Sequence, residues 1–116
     1  MTHQEAEQRG RRAETLAAWW LRLHGWRIVG QRVRTRGGEV DLVARRRRVL
    51  AFVEVKQRSK AFDLALAIDE RRLTRVATAA RALEHRYARP GDTVRIDVVL
   101  IGHGLPQHLA NVWHGG

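Results

Sequence analysis

Four charged residues stand inside segments that otherwise have the composition of β-strands, and together they could support metal-dependent chemistry. Glu39 and Asp41 are two positions apart, as are Glu54 and Lys56, so each pair lies on one face of its strand. Their neighbours are apolar, Val-Asp-Leu-Val for the first pair and Phe-Val-Glu-Val-Lys for the second. Burying adjacent carboxylates without a partner is costly. The pattern therefore favours a divalent cation with oxygen ligands, Mg²⁺ or Mn²⁺.

The spacing of the two pairs indicates that they meet. Asp41 and Glu54 are 13 residues apart, enough for two neighbouring strands joined by a turn at Arg45–Arg48. Asp41 and Glu54 could then hold one metal ion, and Lys56 could orient or deprotonate an attacking water. A metal that polarises a phosphoryl oxygen and activates water would hydrolyse phosphodiesters. In the alternative interpretation, Glu54 and Lys56 form a simple ion pair at a strand end, and Glu39 and Asp41 face solvent.

Hydrophobic periodicity predicts the elements that position these residues. The order is α-β-β-β-α-β-β, which predicts an α/β fold with a central mixed sheet flanked by helices. On the second strand, alternation places Val40, Leu42 and Ala44 on one face and Asp41 on the other. The predicted elements are a helix from a Thr2–Glu5 capping box to about Leu23, strands Trp26–Val33, Glu39–Ala44 and Val49–Arg58, a helix capped by Asp69 and running to about Tyr87, and strands Val94–Ile101 and Leu109–Trp113.

Composition sets the broad class of the protein. A chain of 116 residues with 44% hydrophobic residues predicts a single domain over residues 1–116 with one packed core. No apolar run is long enough to span a bilayer, and the polar N-terminus does not resemble a signal peptide, so we expect a cytoplasmic protein. The absence of cysteine excludes disulfides and thiol chemistry.

The charge balance points to a polyanionic partner. Lys and Arg total 22 against 12 Asp and Glu, a formal net charge of +10, which predicts binding to nucleic acid, DNA in particular, and no membrane association. The alternative is that the 20 arginines reflect only a GC-rich genome.

The two strand motifs resemble those of a known family. Gly-Glu-Val-Asp-Leu-Val (38–43) followed by Phe-Val-Glu-Val-Lys-Gln-Arg (52–58) resembles the YraN family of small bacterial proteins. That family is similar to the restriction-endonuclease-like PD-(D/E)xK superfamily and to archaeal Holliday junction resolvases. The resemblance extends from about Gly10 to Trp113, and Arg-Ile-Asp-Val-Val (95–99) matches a further strand of the family.

The resemblance implies a nuclease site with Mg²⁺ or Mn²⁺ as cofactor. By position, Asp41, Glu54 and Lys56 are the implied catalytic residues. Glu14 on the first helix would join Asp41 and Glu54 as a metal ligand, and Glu39 would lie just outside the ligand set.

Two residues depart from the family pattern, Arg32 where Asn is usual and Arg72 where Lys is usual. Arginine retains the charge for phosphate contact but cannot act as a base. The residues expected to contact nucleic acid are Arg34, Arg36, Arg58 and Arg72. The Arg45–Arg48 tip is either a solvated turn or a further phosphate contact beside the site.

Three functions remain open at this point. The first is a metal-dependent endonuclease on branched or single-stranded DNA; resolvase activity in particular would need a homodimer, because two strands must be cut symmetrically. The second is a nucleic-acid-binding module with an inactive site. The third is an interaction subunit whose basic surface binds an acidic protein.

Overall fold

A computed structural model describes residues 3–57, 70–102 and 104–113, which form a sheet with one helix on each face. The five strands lie in chain order; β3 and β4 are parallel, and the other neighbours are antiparallel. This confirms the predicted α/β arrangement. The elements are α1 His3–Leu23, β1 Arg27–Thr35, β2 Gly38–Arg46, β3 Val49–Gln57, α2 Glu70–Tyr87, β4 Thr93–Ile101 and β5 Gln107–Leu109.

The core has two layers because the central strands are apolar on both faces. On β3, Leu50 and Phe52 pack toward α2, whereas Ala51 and Val53 pack toward α1. Such continuous apolar runs are typical of strands covered on both sides. The α1 residues in this core are mostly small, so the helix lies close to the sheet; they are Ala13, Ala17, Ala18 and Leu21.

The strand directions bring several termini to one end of the sheet. Since β2 and β3 are antiparallel, the start of β2 lies beside the end of β3. The turn between β1 and β2 packs against α2: a Cβ added to Gly38 would lie 2.8 Å from the carbonyl oxygen of Arg75. Gly37 is similarly close to Thr78. The first half of α2 therefore lies at the same end of the sheet as the predicted site.

The expected alternation on β2 is wrong at one point. Val40 packs in the α2 layer, whereas Leu42 and Ala44 pack in the α1 layer. The break falls at Asp41, just beyond Leu42–Val53, the last residue pair between β2 and β3 at this end. β2 remains paired with β1 on either side of Asp41 but no longer with β3, so one edge no longer enforces the pleat and Asp41 leaves the regular pattern.

Of the two interpretations of Arg45–Arg48, the phosphate contact beside the site is wrong. β2 continues to Arg46, and the turn lies at the opposite end of the strand from Asp41. Arg45 is only 8% exposed and donates to both carboxylate oxygens of Asp92, at 3.0 and 2.7 Å. This bidentate pair lowers the pKa of Asp92 to about 2. Arg45 thus stabilises the fold instead of contacting phosphate.

The last strand was predicted too late in the chain. β5 covers Gln107–Leu109 because a buried carboxylate draws the following chain out of the sheet. Asp97 is fully buried and accepts hydrogen bonds from Arg95, from His108 at 2.7 Å and from the Asn111 amide at 2.9 Å. Burial raises the pKa of Asp97, but these hydrogen bonds together bring it below its ordinary value. Asp97 is therefore a structural anchor, as a mid-strand Asp beside an Arg suggests.

Candidate functional site

A cavity of about 370 Å³ opens at the end of the sheet where β2 begins and β3 ends. Its lining includes Glu14, Asp41, Glu54 and Lys56. The structure therefore brings together all four residues that the resemblance places in a catalytic or metal-binding role. Their shared position follows from the fold, because α1 crosses the sheet where β2 and β3 separate.

Asp41 occupies the gap between the separating strands. The Leu42–Val53 pairing aligns Asp41 with Glu54 on the neighbouring strand, which confirms their predicted adjacency. Instead of a backbone carbonyl, the Asp41 carboxylate accepts the hydrogen bond of the Val55 amide, at 2.8 Å. The Asp41 side chain thus supplies the hydrogen-bond acceptor that β3 needs where its backbone pairing with β2 has ended.

The surroundings of Asp41 oppose its negative charge. Burial raises the pKa of Asp41 from its ordinary value of 3.8 to about 7, although the hydrogen bond from Val55 partly counteracts this. The charges of Glu14, Glu54 and Glu39 raise it further, in that order. A cation bound beside this carboxylate would favour its ionised form and so lower its pKa.

Glu54 and Lys56 share a face of β3, as predicted, and form an ion pair. One Glu54 oxygen lies 2.9 Å from Lys56 Nζ, and both side chains are less than a fifth exposed, at 14% and 17%. The other oxygen, Oε2, is buried and accepts no hydrogen bond from the residues that the structure describes. An unsatisfied buried carboxylate oxygen costs about 1–3 kcal/mol or more, and a bound cation would remove that cost.

Glu14 reaches the cavity from α1 but is already paired. Its Oε2 accepts a hydrogen bond from Arg32 Nε on β1. Among residues 3–57, 70–102 and 104–113, no three Asp, Glu or His side chains are close enough together to hold one cation as they stand. Asp41 and Glu54 are hence the ready ligands, and Glu14 would have to move to join them, a movement that its bond to Arg32 opposes.

The other predicted residues that the structure describes lie at this end of the molecule. Arg34 and Glu39 are paired with each other at 3.2 Å in an exposed position, so Glu39 faces an arginine near the ligands. Arg36 is exposed in the turn between β1 and β2, and Arg72 is exposed on α2. Arg58 lies outside the described residues.

One site residue was not predicted to act there. Arg32 stood out in the sequence only as a departure from the family pattern, and its contact with Glu14 joins residues 18 positions apart. Residue spacing carries no signal for such a pairing.

A mixed sheet between two helices, with Asp, Glu and Lys converging where its central strands separate, has the arrangement expected of a restriction-endonuclease-like α/β protein. The chain belongs to the uncharacterised protein family UPF0102, the YraN family, which matches residues 13–101. A UPF0102 protein of Sphingopyxis alaskensis is 65% identical over 97% of this chain and 98% of its own. A UPF0102 protein of Caulobacter vibrioides is 44% identical, and the match covers 95% of this chain and 90% of the relative. In the described part of the chain, neither helix is apolar enough to cross a membrane.

Proposed function

We propose that this protein is a divalent-metal-dependent endonuclease that hydrolyses phosphodiester bonds in branched or single-stranded DNA. The observation that carries the proposal is the pair of buried carboxylates in one cavity. Glu54 Oε2 lacks a hydrogen-bond partner among the described residues, and burial raises the pKa of Asp41 to about 7. Both conditions are those of ligands that await a cation.

The side chains of the cavity fit Mg²⁺ or Mn²⁺, which favour carboxylate oxygens. Asp41 and Glu54 would hold the ion, with Glu14 as a third ligand. When bound, such an ion polarises a phosphoryl oxygen and lowers the pKa of water. Lys56 Nζ stays next to Glu54 and uses its remaining N–H groups to orient the attacking water or a phosphate oxygen.

The charge of the chain supports a nucleic-acid substrate. The formal net charge is +10, and the exposed guanidinium groups of Arg36 and Arg72 are available for phosphate contact. A homodimer would give the paired cuts that a branched substrate requires.

The proposal is tested by cleavage of labelled single-stranded, duplex, flap and four-way-junction DNA with Mg²⁺ or Mn²⁺. The wild type is compared with Glu54→Gln and Lys56→Ala, purified identically. Glu84→Gln is the matched control because it removes an exposed carboxylate on α2, away from the cavity.

We expect the wild type and Glu84→Gln to cut equally. Each cavity variant should lose about 10²-fold or more, the usual contribution of an acid–base or electrostatic group. Equal cutting by all four proteins would reveal a contaminant and overturn the assignment. Salt-dependent DNA binding without cleavage by the wild type would instead establish the binding module with an inactive site.

A further inference from the structure

Arg32 holds an unusual backbone conformation beside the cavity. Its φ is +51°, a left-handed value that residues other than glycine adopt at a cost of about 1–3 kcal/mol. Gln31 pairs with Leu42 and Val33 with Val40, so Arg32 lies across from Asp41. Here its side chain reaches Glu14 on α1, and the pair is partly shielded, with 37% and 19% of the two side chains exposed.

The charges at the cavity form a nearly balanced set. Two of the three carboxylates have a cationic partner, since Arg32 pairs with Glu14 and Lys56 with Glu54. Asp41 accepts its hydrogen bond from a backbone amide. Within residues 3–57, 70–102 and 104–113, the cavity's three acids and two bases give a formal charge of −1. A divalent cation would turn this into +1, the sign that attracts phosphate. Glu14 does not form a cluster with Asp41 and Glu54 as it stands, so it must move to become a ligand, and the bond to Arg32 resists that movement.

We propose that Arg32 is an internal competitor for the divalent cation. It positions Glu14 while the metal is absent and releases Glu14 when the metal binds. This inference rests on the proposed metal site and deepens it, because it makes the metal affinity of the site depend on one exchangeable ion pair. The exchange is a change of partner for the Glu14 carboxylate and involves no covalent step.

The competition is measurable as Mn²⁺ affinity by isothermal titration calorimetry, with no need for cleavage. Arg32→Gln removes the competitor and should bind Mn²⁺ about two- to fivefold more tightly, the range given by a partly exposed ion pair. Arg32→Lys keeps the cation and should stay close to the wild type. Arg34→Gln is the matched control, since Arg34 lies on the same strand and also pairs with a glutamate, but outside the cavity lining.

Testing Arg32→Gln in a protein that already lacks the Glu14 carboxylate distinguishes competition for Glu14 from the simple loss of a positive charge. Deleting any nearby positive charge strengthens cation binding by electrostatics alone, whether or not Glu14 becomes a ligand. In Glu14→Ala, however, nothing remains for Arg32 to hold, so adding Arg32→Gln should no longer increase the Mn²⁺ affinity beyond the Arg34→Gln effect. A gain of equal size in both backgrounds, or no gain over Arg34→Gln in the first, would overturn the proposal.

A spectroscopic measurement on the wild type is independent of whether Arg32→Gln folds. The Nε–H signal of Arg32, assigned by its loss in Arg32→Lys, should shift on addition of diamagnetic Mg²⁺ as the bond to Glu14 breaks. An unmoved signal at saturating metal refutes the exchange. Failure of the wild type to bind any metal refutes both this inference and the proposed function. Exchange at Arg32 without DNA cleavage refutes the nuclease alone.

Discussion

Replacing Asp41 by Asn should stabilise the metal-free protein, and increasingly so as the pH rises. The amide of Asn keeps an oxygen to accept the Val55 hydrogen bond but carries no charge. In the wild type, burial raises the pKa of Asp41 from 3.8 to about 7. Ionising this buried carboxylate therefore costs the folded state free energy that the unfolded chain does not spend.

The magnitude follows from proton linkage. Between pH 3.8 and about 7 the folded protein holds the Asp41 proton and the unfolded chain does not. The native state thus binds more protons, and the free energy of unfolding falls as the pH rises, by about 1.4 kcal/mol per pH unit. The fall is complete above the folded pKa. Over about three units it reaches up to about 4 kcal/mol, a large share of the 5–15 kcal/mol typical of a domain.

The assay is urea unfolding from pH 4 to 8.5 with EDTA present. The free energy of unfolding of Asp41→Asn minus that of the wild type should rise through this window and level off above pH 7. Glu84→Gln is the control, because Glu84 is an exposed carboxylate on α2 that is not among the charges acting on Asp41; this variant should show no comparable rise. Saturating Mg²⁺ should reduce the rise, since a cation favours ionised Asp41. A pH-independent difference would refute the argument that burial opposes the Asp41 charge.

Two further substitutions probe the scaffold. Asp97→Asn should lower the free energy of unfolding by about 3–5 kcal/mol, since it leaves Arg95 beside a neutral side chain in a buried network; urea unfolding that matches the wild type would contradict this. Gly38→Ala should cost about 1–3 kcal/mol, because its Cβ would lie 2.8 Å from a backbone oxygen of α2. Its matched control, Gly10→Ala, has open space around the new Cβ and should be neutral or stabilise α1 by up to about 1 kcal/mol in thermal unfolding.

The order of the elements could be predicted from the sequence because it depends on local periodicity. The boundaries of α1, α2 and β1 to β4 agree with the prediction to within two residues. The pairing of β2 with β3 also followed, since a short connection between two alternating segments leaves an antiparallel hairpin as the simple solution. That pairing places Asp41 beside Glu54, and strand alternation alone places Lys56 next to Glu54.

Partners from distant parts of the chain were decided only by the tertiary structure. Glu14 meets Arg32 across 18 residues and Arg45 meets Asp92 across 47. Among 20 arginines, composition gives no reason to choose one counterion over another.

Which charged groups are buried was likewise decided only by the tertiary structure. One Glu54 oxygen has no hydrogen-bond partner among the described residues, and the pKa of Asp41 is raised, because of how α1 covers the opening between β2 and β3. The sequence determined which chemical groups are present and which strand carries them. Packing determined which charges are neutralised and which still lack a partner, because desolvation and hydrogen bonding act over distances that only the folded chain defines.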